Sequence, residues 1–272
     1  MKKIVQRAAH RSSGVLMAAA LLSISMSPST EVRAASLEQQ PSVWRPAPGT
    51  SWQWQLTGML DLSFDVAMYD LDLFETSSAV VATVHARGAK AVCYISAGTW
   101  EDWRPDAQRF SSVVKGRANG WAGEVWLDIR SPELRPIMEA RMDLCKSKGF
   151  DGIEPDNVDG YSNTTGFPLT SADQLTYNRF LADAAHTRGL SVGLKNDVEQ
   201  TADLVDWFDW ALNEECFKYG ECEQMSSFIN AGKAVFHVEY GVASATFCKA
   251  TKALGFSSLK KRRRLDAYRI AC

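Results

Sequence analysis

Short apolar stretches alternate along this chain with longer stretches of helical character. The apolar stretches predict eight β-strands, at residues 52–56, 65–69, 89–95, 124–128, 151–154, 191–194, 207–212 and 233–238. The longer stretches predict helices at residues 77–87, 132–148, 171–188 and 221–231. This alternation of strand and helix is typical of an α/β domain with a parallel sheet.

The passage from a helix to the next strand is marked three times by a basic residue followed by glycine. The pair occurs at Arg87-Gly88, Lys148-Gly149 and Arg188-Gly189, and glycine just past a helix end is a common stop signal. Eight βα units favour a closed (β/α)8 TIM barrel in a single domain. A doubly wound open sheet would alternate similarly. No Gly-x-Gly-x-x-Gly follows the first predicted strand, which weakens its dinucleotide-binding version.

Residues 1–34 begin with basic residues, continue with an apolar stretch and end with small residues, the pattern of an export signal. We therefore expect a secreted protein with a signal peptide cleaved near Ala34. A linker is expected at residues 35–49 and the barrel domain at residues 50–272. No later stretch reaches the ~20 apolar residues that a membrane-spanning helix needs, so we expect no membrane span.

Removal of the predicted signal leaves 238 residues and lowers the formal net charge from −2 to about −6. A mildly acidic protein favours neutral or cationic ligands over nucleic acid. The basic run at residues 260–264 is therefore interpreted as a solvated turn or helix end. We expect a monomer with no nucleic-acid partner.

The six cysteines form an even set in a predicted exported protein, which indicates three disulfides. Fifteen pairings are possible. Our preferred pairing is Cys93–Cys145, Cys216–Cys222 and Cys248–Cys272, the last because it would anchor the basic C-terminal segment. Metal binding is the weaker interpretation because the cysteines are scattered along the chain.

Polar residues recur where the predicted strands end, and a barrel brings strand ends to one rim. Beyond the acidic cluster Asp156-Asn157 and the cluster Asn213–Glu215, they include Asp70, Asp72, Tyr94, Lys195, Asn196 and Glu239. Several carboxylates on one rim repel, so at least one pKa should rise, while Lys195 could hold a neighbour ionised. One protonated and one ionised carboxyl group are the equipment for cleaving a glycosidic bond.

Other chemistries lack their residues. The sequence contains no Gly-x-Ser-x-Gly elbow for a serine hydrolase and no His-x-His or His-Glu-x-x-His for a zinc hydrolase. Residues 156–160 resemble a calcium loop only faintly, because the remaining ligand positions are missing. We therefore expect neither a metal nor an organic cofactor.

Five motifs together resemble glycoside hydrolase family 114. They are Val92-Cys-Tyr-Ile-Ser-Ala-Gly98, Glu101-Asp-Trp-Arg-Pro-Asp106, Asp151-Gly-Ile-Glu-Pro-Asp-Asn-Val-Asp-Gly160, Gly193-Leu-Lys-Asn196 and Asn213-Glu-Glu-Cys216. The resemblance runs from about residue 44 to residue 272. It implies a (β/α)8 barrel and an endo-α-1,4-polygalactosaminidase, which cleaves within chains of galactosamine and N-acetylgalactosamine.

The resemblance also implies roles. Asp156 takes the place of the nucleophile and Glu214 that of the acid/base, with Glu215 as the alternative. The sugar would be lined by Asp70, Asp72, Tyr94, Asn157, Lys195, Asn196, Glu215 and Glu239. Trp100, Trp103 and Tyr161 could add a stacking surface for sugar rings.

We thus expect a secreted retaining glycosidase. Two rivals remain open: a barrel that binds sugar without cleaving it, and a hydrolase for a neutral galactan-type polymer. Carboxyl groups more than ~10 Å apart would favour the first rival, since that gap exceeds either hydrolytic spacing.

Overall fold

The computed structural model describes residues 43–272, which contain twelve β-strands and seven α-helices. The strands are β1 (Trp52–Gln55), β2 (Met68–Asp72), β3 (Lys90–Ser96), β4 (Thr99–Glu101), β5 (Lys115–Ala118), β6 (Glu124–Leu127), β7 (Gly152–Asp156), β8 (Ser191–Lys195), β9 (Trp210–Glu214), β10 (Val235–Glu239), β11 (Ser257–Lys260) and β12 (Ile270–Ala271). The helices are α1 (Ser78–Ala86), α2 (Leu134–Lys148), α3 (Ser171–Thr187), α4 (Thr201–Leu204), α5 (Cys216–Tyr219), α6 (Ser226–Asn230) and α7 (Ser244–Ala253).

Eight strands pair in parallel in the order β1-β2-β3-β7-β8-β9-β10-β11, and β12 adds an antiparallel edge to β11. From β2 onward, helices lie between successive parallel strands, as is usual for crossover connections, whereas β1 and β2 are joined by a loop. The first and eighth strands meet where the Trp52 indole N–H donates to the carbonyl of Ser257, at 2.8 Å. The predicted (β/α)8 barrel is confirmed.

Local sequence explains where the helices begin and end. The Thr170 hydroxyl accepts from the Asp173 amide, and the Asp173 carboxylate accepts from the Thr170 amide, so a capping box starts α3. Gly149 ends α2 with φ of 93°, a left-handed conformation that glycine adopts without a steric cost. A basic residue followed by glycine therefore marks the passage from a helix to the next strand.

Successive side chains along each barrel strand belong in turn to two different apolar clusters. One face packs outward against the helices, for example Leu71, Cys93 and Val192. The other face fills the barrel interior with large side chains, including Trp52, Trp54, Met68, Val92, Trp210, Leu212, Phe236, Val238 and Leu259. Inward and outward positions are thus fixed by the two-residue period of each strand.

The structure corrects the prediction that residues 124–128 form the fourth strand of the barrel. That segment is β6, which pairs antiparallel with β4 and β5 in a separate three-stranded sheet. The eighth barrel strand is instead β11, which was not predicted because Ser257-Ser-Leu-Lys260 has a single large apolar residue. A hydrophobic pattern predicts that a segment is a strand but not which sheet the strand joins, which explains the wrong assignment of residues 124–128.

All three preferred disulfides are confirmed: Cys93–Cys145, Cys216–Cys222 and Cys248–Cys272. The first joins β3 to α2, the second closes a short loop after β9, and the third anchors the C-terminus to α7. Within residues 43–272, no helix is long and apolar enough to cross a membrane. The predicted signal and most of the predicted linker lie outside the described residues.

Candidate active site

The inward face of the strands turns from apolar to charged near their carboxyl ends. Two residues beyond interior positions such as Val92, Gly193 and Leu212 come Tyr94, Lys195 and Glu214. A cleft of about 930 Å³ opens over them at this end of the barrel. Its lining includes both predicted catalytic residues, Asp156 and Glu214.

Lys195 connects these two carboxyl groups. Its buried ammonium lies 2.6 Å from Asp156 Oδ1 and 2.9 Å from Glu214 Oε2. Because both oxygens lie at 2.6 and 2.9 Å from one nitrogen, they are at most about 5.5 Å apart. Burial alone would lower the pKa of Lys195, but the charges of Asp156 and Glu214 raise it well above the ordinary lysine value, so Lys195 is a permanent cation.

Two tyrosine hydroxyls donate hydrogen bonds to the carboxyl groups of Asp156 and Glu214. Tyr94 donates to Asp156 Oδ2 at 2.8 Å, and Tyr240 donates to Glu214 Oε1. Burial, reinforced by the carboxylate that each contacts, raises the pKa of both tyrosines well above the usual value. Both hydroxyls therefore keep their protons and act as hydrogen-bond donors.

Asp70 and Glu154 lie beneath this layer and are fully buried. Burial raises the pKa of Asp70 to about 7, and the charges of Asp156 and Asp72 add to the shift. Burial, together with the charge of Asp70, raises the pKa of Glu154 well above its usual range. One ammonium, 3.5 Å from Glu154 Oε1, cannot balance four carboxylates, so the group retains protons at neutral pH.

Three residues at the cleft have a left-handed backbone directly after a barrel strand. They are Asn157, Asn196 and Glu215, with φ of 63°, 50° and 61°. Such conformations cost energy in residues other than glycine and concentrate at functional sites. Here they turn side chains back to the rim: Asn196 Oδ1 accepts from the Glu214 amide at 2.9 Å, and the Asn157 amide group donates to Ser96 Oγ at 3.0 Å.

The structure places the other predicted sugar-lining residues in three ways. Asp72 lines the cleft and accepts from Arg104 at 2.7 Å. Asp70 lies below the cleft rather than on its surface. Glu239 lies outside the cleft. It is two residues after His237 on β10, so both side chains point outward from the barrel, and its carboxylate accepts from the Phe217 amide at 3.0 Å.

Sequence reasoning missed one side of the cleft. The three-stranded sheet β4-β6-β5 contributes Glu101 and Glu124 to the lining, and Asp159 comes from the loop after β7. Burial raises the pKa of all three, that of Asp159 to about 6. The signal was present in the motif Glu101–Asp106, whose Arg104 pairs with Glu101 at 2.6 Å. Of the three strands of this sheet, however, only residues 124–128 were predicted, and they were assigned to the barrel.

The aromatic residues divide similarly. Trp103 and Trp121 line the cleft and expose about half of their surface, 52% and 53%. Trp100 instead packs under Lys115, and Tyr161 donates to Glu199 at 3.0 Å without lining the cleft. The half-exposed indoles of the cleft therefore include one residue that was predicted to line it, Trp103, and one that was not, Trp121.

The sulfurs of Cys216 and Cys222 and the His237 ring cluster within 4.8 Å. The two cysteines are joined in a disulfide, so neither supplies the thiolate that a metal would need. The centre of the cleft brings together the carboxyl groups of Asp156 and Glu214, the Lys195 ammonium and the hydroxyls of Tyr94 and Tyr240.

Comparisons with known proteins show the family of the chain. The sequence model of Glycoside-hydrolase family GH114 matches residues 33–272. The chain is similar to Aspergillus fumigatus Ega3, solved in complex with galactosamine, at 38% identity and a TM-score of 0.81, covering 85% of this chain and 98% of that chain. The glycoside hydrolase domain of PelA from Pseudomonas aeruginosa shares the fold at 13% identity and a TM-score of 0.65, covering 81% and 98%. An uncharacterized protein of Deinococcus radiodurans is 25% identical over 207 residues, 66% of this chain and 67% of that protein.

Proposed function

The chain belongs to glycoside-hydrolase family GH114 and is a glycoside hydrolase, and from this premise we propose that it cleaves α-1,4-linked galactosamine polymers internally and with retention of configuration. Asp156 is the nucleophile and Glu214 the acid/base. The observation that carries the proposal is the bridge of Lys195 between them, 2.6 Å from one carboxylate and 2.9 Å from the other.

The spacing supports a retaining reaction. Retaining glycosidases hold their carboxyl groups ~5–5.5 Å apart, whereas inverting enzymes leave ~6.5–9.5 Å for a water molecule. The limit of about 5.5 Å set by the 2.6 and 2.9 Å contacts of Lys195 fits the first class. It also disfavours the sugar-binding barrel without catalysis, which predicts a wider gap.

In the first step, an Asp156 oxygen forms a bond to the anomeric carbon while the glycosidic C–O bond breaks. The leaving oxygen takes the bonding electron pair and the proton of Glu214, so an ester with Asp156 remains. In the second step, Glu214 removes a proton from water, and the water oxygen displaces the Asp156 carboxylate from the anomeric carbon. Two inversions give net retention.

Lys195 and Tyr94 stabilise the negative charge of Asp156 before attack, because the ammonium and the hydroxyl both donate to its carboxylate. The same contacts make Asp156 a better leaving group in the second step. We infer that the entering sugar separates Glu214 from Lys195, so that this carboxyl group takes up the proton that it later donates.

The galactosamine bound to Ega3 supports the sugar type. The cleft adds a physical reason, because its carboxyl groups attract the ammonium of a deacetylated unit. The three disulfides support an exported protein, since disulfides persist in oxidising compartments.

Reducing-end release from galactosamine polymer and from neutral galactan tests the proposal. We expect release only from the former, with the product anomer retained by NMR. Asp156→Asn and Glu214→Gln should lower turnover by at least ~10²-fold, while Glu215→Gln, the same change one residue along, should retain more activity. Full turnover by Asp156→Asn would refute the nucleophile, and release from galactan alone would refute the substrate.

A further inference from the structure

The two halves of the barrel mouth carry opposite charge. Strands β2, β3 and β7 form one half, and β9, β10 and β11 form the other, with β8 and Lys195 between them. Asp156 ends β7 on the first side, and Glu214 ends β9 on the second. A chain of sugars that passes both residues therefore passes from one charge environment to the other.

The first half presents what we call the acidic wall. It comprises Asp72, Glu75, Glu101, Glu124 and Asp159, with Arg104 as its cation. Arg104 is occupied by Asp72 and Glu101, so the wall retains a net negative charge. The exposed indoles of Trp103 and Trp121 lie in the same lining.

The second half presents the basic wall, which comprises Lys218, Lys260, Arg262, Arg263 and Arg264. It borders a second cavity of about 590 Å³, which shares Glu215 and Arg263 with the main cleft. The carboxylates that pair with these five cations are Glu215 and Asp266, so the wall is net positive. Burial lowers the pKa of Lys261 to about 7, so this lysine adds only part of a positive charge to the wall.

The basic wall reaches the acid/base residue through Tyr240. Arg263 donates to Glu215 at 3.1 Å, and its guanidinium lies 5.6 Å from the centre of the Tyr240 ring. Tyr240 in turn donates to Glu214. The sugar whose oxygen Glu214 protonates therefore leaves along the positive half.

We propose that the cleft reads the amino groups of its substrate, with free ammonium units on the acidic wall and a unit without an ammonium, such as an N-acetylated one, on the basic wall. This inference rests on the proposed function. Like charges repel an ammonium from the basic wall, whereas an uncharged acetamide meets no such penalty. The enzyme then cuts preferentially where a free amine unit is followed, on the leaving side, by an acetylated one.

The products report this preference. The unit held by Asp156 becomes the new reducing end, and the leaving unit becomes the new non-reducing end. Half-acetylated galactosamine polymer is digested, and both kinds of end are sequenced by mass spectrometry with isotopic water marking the new reducing ends. We expect free amines at the reducing ends and acetylated units at the non-reducing ends, each enriched roughly threefold to tenfold, as a few exposed charges would give.

The double variant Lys218→Gln/Arg263→Gln removes two cations of the basic wall. Their side chains are 41% and 62% exposed, but both pair with the buried Glu215, so the folded state of the variant is first verified by urea unfolding. The matched control is Lys249→Gln/Lys252→Gln, which removes two exposed cations from the outer helix α7. The first variant should lose the bias at non-reducing ends and keep it at reducing ends, and the control should keep both.

Cleavage with unbiased ends, or an unchanged bias in the Lys218→Gln/Arg263→Gln variant, would overturn this inference and leave the proposed function in place. Failure of the wild-type chain to cut any galactosamine polymer would overturn the proposed function, and this inference with it.

Discussion

The floor and the mouth of the barrel are built from the same strands but serve opposite purposes. On the floor, Trp210, Phe236 and their neighbours exclude water from the interior. Nearer the carboxyl ends of the strands, the inward side chains become polar or charged, as with Lys195 on β8 and Glu214 on β9. Lys195 joins the two regions, because its ammonium lies 5.0 Å from the centre of the Trp54 ring. Burying charge is costly, so the apolar floor must stabilise a mouth that destabilises the fold.

The largest effect should come from the floor. Trp210 is fully buried, packs edge-on against Phe236 at 5.5 Å and fills the space above Gly193, where an added Cβ would lie 2.2 Å from its ring. Trp210→Ala leaves a cavity that this arrangement cannot close. We expect the free energy of unfolding, measured in urea, to fall by ~3–5 kcal/mol.

The matched control is Trp207→Ala, which removes a partly buried indole on the outside of the barrel under Arg179. Its loss of stability should be smaller. Turnover per folded molecule should remain close to wild type for both variants. A large loss of turnover in folded Trp210→Ala protein would show that floor and mouth are not separable.

A change in the mouth should act on activity first. Lys195→Met removes the cation that Asp156, Glu214 and Glu154 share. Without it, Asp156 and Glu214 lose the ammonium that contacts them at 2.6 and 2.9 Å, so the charge that shifts onto and off Asp156 during the reaction is no longer stabilised. We expect turnover to fall by roughly 10²–10³-fold, the size of losing one preorganised electrostatic partner.

Lys233→Met is the control: the Lys233 ammonium donates to the carbonyls of Val205 and Phe208, away from the cleft. Turnover by Lys195→Met at the wild-type level would contradict the role of the bridge.

The strand-end pattern was sufficient to find the centre of the mouth. Asp156 and Glu214 end short apolar runs, and acids there have no packing purpose, so their placement could be predicted. Glu239 could not be placed in this way. The run Ala234-Val-Phe-His-Val238 is apolar on both faces, as parallel strands usually are, so sequence does not show which side chains point inward.

The acidic wall was missed for a different reason. Glu101 and Glu124 lie on a small antiparallel sheet whose position over the cleft depends on pairing between distant segments, Thr99 with Trp126 for example. A single hydrophobic pattern carries no information on such pairing. The residues that we propose to recognise the substrate were therefore less predictable than the two that we propose to be catalytic.

The smallest predicted effect concerns Asp70, which lies between the apolar floor and the charged mouth. It is a dependence of the free energy of unfolding on pH. Burial raises the pKa of Asp70 from 3.8 to about 7, so the folded state keeps a proton that the unfolded state releases as pH rises. The free energy of unfolding contributed by this proton is highest below pH 4 and falls between about pH 4 and 7. A lone shift from 3.8 to about 7 would give about 4 kcal/mol at ~1.4 kcal/mol per unit, and we expect less, roughly 1–3 kcal/mol, because Glu154 shares the cost.

Asp70→Asn removes the titration while keeping the shape of the side chain. The variant should therefore lose less stability than wild type between pH 4.5 and pH 8, measured by urea unfolding at each pH. Asp203→Asn, which changes an exposed carboxyl group on α4, should follow the wild-type curve. Parallel curves for Asp70→Asn and wild type would mean that the buried carboxyl pair does not hold its proton, and that the charged layer costs the barrel less than its burial implies.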